Sequence, residues 1–134
     1  MSQDRPTPGS PQDWLARAKG DLAIARAPLP EGAFYEDWCF HAQQAAEKAL
    51  KAVYRHHGWT FEYTHDLEEL VAGLQRQGLE IPPEVEEGIV LTSFAWEARY
   101  PGLGEPVTLQ EYRESLRLCE GVVTWAEREI ALQH

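Results

Sequence analysis

Apolar residues recur every three or four positions through most of this chain, and the runs break at proline and glycine. The first run predicts a helix over about Gln12–Ala27, with Leu15, Ala18, Leu22 and Ala25 on one face and Pro28 to Pro30 as its stop. The second predicts a helix over about Tyr35–His57. Glu36 and Asp37 open it, while Lys51, Arg55, His56 and His57 close it, so its charges oppose the helix dipole favourably. Gly58 follows as a C-terminal stop.

Two stripes run along this second helix. Trp38, Ala42, Ala45, Ala49 and Ala52 form one of mostly small residues, which lets another helix approach closely. His41, Gln44, Lys48, Lys51 and Arg55 form a polar one at the same spacing. A third helix is predicted over about Asp66–Gln77, with Leu67, Leu70, Val71 and Leu74 inward and Gly78 at its end. Pro82 and Pro83 open a fourth, which places Val85, Ile89, Thr92 and Trp96 in line and continues to Arg99 before Pro101 and Gly102.

The fifth helix opens with Thr108 and Glu111, the spacing of a capping box. Leu109, Tyr112, Leu116, Cys119, Val123, Ala126 and Ile130 then alternate by three and four, the clearest seam in the chain. Amphipathic helices on short connections predict an all-α, antiparallel bundle of four or five helices. Helices two, four and five are expected to form its central layer, with Trp38, Leu50, Trp96, Leu116 and Val123 buried and helix three short. Met1 to Pro11 reads as a flexible lead-in, leaving 12–134 as a single helical domain.

Composition narrows the classes of function. With 43% hydrophobic and 25% charged residues, the 134-residue chain has an ordinary globular balance. It holds no apolar run long enough to span a bilayer, and its polar, proline-rich start lacks the pattern of a secretory signal. A cytoplasmic location is the expectation. The formal net charge of −10 opposes loose binding to nucleic acid, which makes the local basic strip on helix two stand out. Cys39 and Cys119 lie in apolar-periodic segments and are expected to be buried, reduced thiols.

Candidate chemistry is sparse. The five histidines include no HExxH pair, and neighbouring His56 and His57 point to different sides of a helix, so neither metal nor cofactor is expected. Ser93 and Ser115 lack a nucleophile elbow, and Gly102 and Gly104 follow a helix rather than opening one. Arg99 falls at the end of the inward line of helix four. A guanidinium there needs a partner: a structural carboxylate such as Glu47 or Glu97, or the phosphate or carboxylate of a ligand. The residues assigned to ligand binding are His41, Gln44, Lys48, Lys51 and Arg99.

Phe40 to Ala52, reading FHAQQAAEKALKA, resembles the second-helix signature of HEPN domains. Thr64-His65-Asp66-Leu67 with Leu70 resembles the start of their third helix, and Ala98-Arg99-Tyr100-Pro101 the end of their fourth. Order and spacing agree from about Trp14 to Ile130. The resemblance implies a helical bundle that commonly dimerises, and the four of five tryptophans that fall on the predicted helices (Trp14, Trp38, Trp96, Trp125) point to a homodimer as well. Small prokaryotic members often accompany a minimal nucleotidyltransferase in arrangements resembling toxin–antitoxin pairs, which makes such a chain the expected partner.

Some HEPN proteins are metal-independent RNases that use an Arg followed four to six residues later by a His. Here Arg99 is followed by Tyr100, Pro101, Gly102, Leu103, Gly104 and Glu105, with no histidine in reach, and His56 and His57 stand too close to Arg55. Nor does Tyr100 occupy the place of the tyrosine that paired nucleotidyltransferases modify. The leading expectation is therefore a noncatalytic module that binds a nucleotide or phosphate ligand. The alternatives are an endoribonuclease using Arg99 with His41 as its base, and a structural dimeric partner without a ligand.

Overall fold

A computed structural model describes residues 4–95 and 106–132. Five α-helices follow in order: α1 (Pro11–Arg26), α2 (Tyr35–His56), α3 (Leu67–Arg76), α4 (Pro83–Glu87) and α5 (Leu109–Ala131). A 3-10 segment, Gly88–Ala95, continues directly from α4. No strand occurs among the described residues. The protein is all-α, as the periodicity predicts.

Local chemistry fixes the helix ends. The Ser10 hydroxyl accepts from the Asp13 amide at 3.1 Å and starts α1. Thr108 and Glu111 form the expected capping box, each accepting from the other's backbone amide at 3.1 and 3.2 Å. Asp66 caps α3 by accepting from the Glu68 amide at 2.9 Å. Gly58 and Gly78 take positive φ of 73° and 93° just past α2 and α3, a conformation that costs glycine little.

Helix α2 is the centre of the bundle. Its alanines at 42, 45, 46, 49 and 52 are at most 1% exposed, so the small-residue stripe lets α1 and α5 pack closely against it. On α5 the core falls to Leu118, Cys119, Val122, Val123 and Ala126. The predicted seam residues Tyr112, Leu116 and Ile130 are half-buried at its edge, and Leu109 is exposed. Four elements rather than one, α1, α2, α4 and the 3-10 segment, pack against α5, so no single heptad line describes it.

Two expectations need correction. Helix four does not run on as an α-helix: it lasts five residues and tightens into the 3-10 segment. Gly88 stands at the change, where the chain passes close to α5: a Cβ there would lie 2.7 Å from Val122 Cγ2. After it, the β-branched residues Ile89, Val90 and Thr92 favour an α-helix weakly. The layer against α2 is supplied mainly by α1 and α5, with the 3-10 segment of helix four as a lesser contact, and among the described residues α4 instead of α3 is the shortest α-helix. Secondly, although Leu50 and Val123 are buried, Trp38 and Leu116 are only half-buried. Trp38 stays at the edge because its indole N–H donates to the Ala27 carbonyl at 2.7 Å, where α1 ends. Trp96 lies outside the described residues, as does Arg99.

Candidate functional site

Most of the polar stripe of α2 is covered: Lys51 is buried and His41, Gln44 and Lys48 are half-buried, while Arg55 is exposed. Asp21 belongs to the α1 face that also carries Ala18, Leu22 and Ala25, all buried. Its two carboxylate oxygens part company. Oδ1 lies 3.0 Å from His41 Nδ1, and Oδ2 accepts from Lys48 Nζ at 2.6 Å. His41 and Lys48 are seven residues apart, roughly 10 Å along α2, so one carboxylate straddles two turns of the opposite helix.

A second centre lies one turn further along α2. Glu47 accepts from Lys51 at 2.9 Å and from Gln43 Nε2 at 3.1 Å, and contacts His65 Nδ1 at 2.9 Å. Gln43 also donates to the His65 carbonyl at 3.2 Å, and Gln44 donates to Gln43 Oε1 at 2.7 Å. Burial pushes the Glu47 pKa up, but the bonds from Lys51, His65 and Gln43 outweigh it and hold the carboxyl below its ordinary value. Lys51 Nζ sits 5.7 Å from the Trp14 ring centre and 5.3 Å from that of Phe61, and the Arg55 guanidinium lies 4.6 Å from Phe61. The Glu47–Lys51 pair at its heart is buried and internally satisfied, while His65 at its edge is half exposed.

The first centre opens to solvent. Between the segment before α1, α1 itself and Lys48 lies a hollow of about 560 Å³, where Arg5, Arg17 and Lys48 meet Asp4, Asp13 and Asp21. Asp13 is pinned: the Gly9 amide donates to it at 2.9 Å and Arg17 at 3.1 Å. The Gly9 bond first, and Arg17 after it, holds its carboxyl below the ordinary value despite burial. A separate hollow of about 600 Å³ lies beside α3, and Glu62, Asp66, Glu68 and Glu69 in its lining would repel a phosphate.

Of the residues assigned to ligand binding, only Lys48 lines the α1–α2 hollow among the described residues, and His41 stands behind it on Asp21. Gln44 and Lys51 join the Glu47 centre instead. Arg99 is outside the described residues, so its place relative to α2 rests on sequence alone. Asp21, Arg17 and Arg5 escaped the sequence reading. The available signal was Asp21 itself, a lone acid within the inward stripe of α1.

Among the described residues no group of three or more His, Cys, Asp or Glu side chains could hold a metal ion, and no helix is long and apolar enough to cross a membrane. Burial pushes the Cys39 thiol up to about 11 and the Cys119 thiol up to about 12, so neither is poised as a nucleophile.

The HEPN domain family model matches residues 11–130. The chain belongs to the HEPN family. A solved protein from Thermus thermophilus is 30% identical, with a TM-score of 0.78 over 90% of this chain and 98% of its own. A solved archaeal HEPN homologue is 27% identical, with a TM-score of 0.70 over the same shares. No curated protein matches the chain. The bundle is thus the HEPN fold, and the α1–α2 hollow is a feature of this HEPN chain described from its own residues.

Proposed function

We propose that this HEPN protein is a noncatalytic binding module for a phosphate-bearing ligand, a nucleotide in the first instance. One observation carries the reading: in a chain of net charge −10, three segments bring Arg5, Arg17 and Lys48 together at one open hollow. Its volume of about 560 Å³ suits a small-molecule ligand. Lys48 supplies the central ammonium, His41 stands next to it, and Arg17 offers a planar fork of donors. Gln44 and Lys51 act through the Glu47 centre, which holds α2 in place, and Arg99 is a further candidate from sequence.

In this reading the module works in the cytoplasm as a homodimer beside a nucleotidyltransferase chain, in a toxin–antitoxin-like pair. The family resemblance supports that partnership. Calorimetry with ATP, GTP and short RNA tests the ligand, and co-purification with the product of the adjacent reading frame tests the partner. Saturable nucleotide binding lost in Lys48→Ala is the expected result. Absence of binding by the intact protein would sink the reading.

The His41–Asp21 contact favours a second reading, an endoribonuclease. A carboxylate held against Nδ1 leaves Nε2 to take a proton, the arrangement of a general base. RNA cleavage by the purified protein, abolished in His41→Ala, would replace the binding module with this enzyme.

A further inference from the structure

Three positive and three negative side chains line the hollow: Arg5, Arg17 and Lys48 with Asp4, Asp13 and Asp21. With all six charged, the lining sums to zero, so a bare anion meets no net attraction there. The two inner acids are held in different ways. Asp13 is anchored to the start of α1 through the Gly9 amide, with Arg17 as its second donor. Asp21 takes both its bonds from side chains, Lys48 and His41. Lys48, which lines the hollow, is the group that a ligand phosphate there would use.

We infer that Asp21 is a built-in competitor for the ligand, occupying Lys48 until an anion displaces it. The inference rests on the phosphate-ligand reading above and adds a regulatory element to it. The geometry fits displacement. The Asp21 side chain is 11% exposed and that of Lys48 is 26%, so the pair sits at the wall of the hollow rather than sealed beneath it. A dianionic phosphate carries more charge than the carboxylate and accepts at three oxygens, so it can take over Lys48 and draw on Arg17 as well. The displaced carboxylate then has to face water at the rim. Affinity is lowered by that requirement, and the empty hollow is kept from adventitious anions. The buried Glu47 centre cannot act in this way, because Glu47 is held by three side chains and lies away from the hollow.

The test uses ADP and inorganic pyrophosphate as probes on the full chain, by calorimetry. Asp21→Asn keeps the side-chain shape and removes the competing charge, so it should tighten both probes by about tenfold or more, the scale of one charge-assisted hydrogen bond. Adding Lys48→Ala should abolish the gain. A tighter ADP with unchanged pyrophosphate would overturn the inference, because competition acts on charge and not on the nucleoside. So would wild-type binding that Asp21→Asn leaves equal or weaker while the protein stays folded; the phosphate-ligand reading would survive that outcome. If neither protein binds either probe, the reading falls and the inference with it. A second measurement covers the case in which the variant does not fold. In the wild-type protein, the NMR signal of the Asp21 carboxyl carbon should shift on saturation with pyrophosphate as the Lys48 ammonium leaves it. Saturable binding with that signal unmoved would overturn the displacement.

Discussion

Glu47 Oε2 and Lys51 Nζ lie 2.9 Å apart, one turn from each other on α2, with side chains only 4% and 7% exposed. Charges buried this deeply are tolerable because each is matched, and removing one strands the other. Glu47→Ala leaves the Lys51 ammonium under Trp14 and Phe61 with no carboxylate, and should cost about 3–5 kcal/mol in urea unfolding. Lys51→Met should cost less, since Glu47 keeps its contacts with Gln43 and His65. The double variant Glu47→Leu with Lys51→Met should recover part of the loss. Equal losses in the two single variants would show that Glu47 draws nothing from its other partners.

The same carboxylate sets an acid limit. The Glu47 pKa lies below its ordinary value of 4.5, so the unfolded chain binds a proton there more readily than the folded one. Its contribution is therefore complete above the unfolded value and is lost as pH falls from about 4.5 through the lower folded value. Asp13, lowered from 3.8, works in the same direction at slightly lower pH. Thermal unfolding from pH 6 to pH 3 should show stability falling on the acid side, with a shallower fall in Glu47→Gln.

Tyr54 and Gly73 make a third test. The Tyr54 hydroxyl donates to the Leu70 carbonyl at 2.6 Å and fills the space over Gly73, where a Cβ would stand 2.1 Å from the phenol oxygen. Gly73→Ala should destabilise the protein by about 1–3 kcal/mol through overpacking, even though alanine is the better helix former. In a Tyr54→Phe background the penalty should shrink, because the clashing oxygen is gone. A double-mutant cycle that shows strict additivity would rule out this contact as the cause.

How far these features were legible in the sequence depends on the range of the interaction. The ends of α1, α3 and α5 were set by neighbours in the chain, such as Asp66 before Leu67 and Thr108 with Glu111, and the periodicity located them. The shortness of α4 was not legible: Val85, Ile89 and Thr92 keep helical spacing, and the close approach of Gly88 to Val122, more than thirty residues away, is a tertiary contact. The site shows the same division. His41, Gln44, Lys48 and Lys51 were found as a stripe, but periodicity gives a face and not what covers it. That Lys48 meets Asp21 while Lys51 meets Glu47 depends on how α1 lies across α2, and the pattern of α2 carries no information about that crossing.

The thiols offer a direct check on burial. Cys39 and Cys119 are wholly buried, and burial pushes their thiols up to about 11 and about 12. A thiol reagent at pH 8 should leave both unmodified in the native protein and modify both in denaturant. Fast modification of either in native buffer would show that the α2–α5 packing opens readily.

Lys48 and Lys51 provide the sharpest separation of ligand binding from structure, because they lie on one stripe and only three residues apart. The Lys48 side chain is 26% exposed at the hollow, whereas that of Lys51 is 7% exposed and bound to Glu47. Lys48→Ala frees Asp21 to turn toward water, so its unfolding free energy should change by no more than about 1 kcal/mol, as for a partly exposed pair. Nucleotide binding should nevertheless weaken by about 1–3 kcal/mol, the scale of a charge-assisted hydrogen bond. Lys51→Ala should behave in the opposite sense, with a clear loss of stability and, in the folded fraction, nearly unchanged affinity. Arg17→Ala tests the second cation of the hollow and should weaken binding in the same direction as Lys48→Ala. Calorimetry with ATP beside thermal unfolding reads both quantities on one set of proteins. If Lys51→Ala lost affinity while Lys48→Ala did not, the ligand would belong to the Glu47 centre and the hollow would be only a feature of the surface. If ATP bound to neither variant nor to the parent while RNA was cut and His41→Ala stopped the cutting, the pair Asp21 and His41 would be serving catalysis.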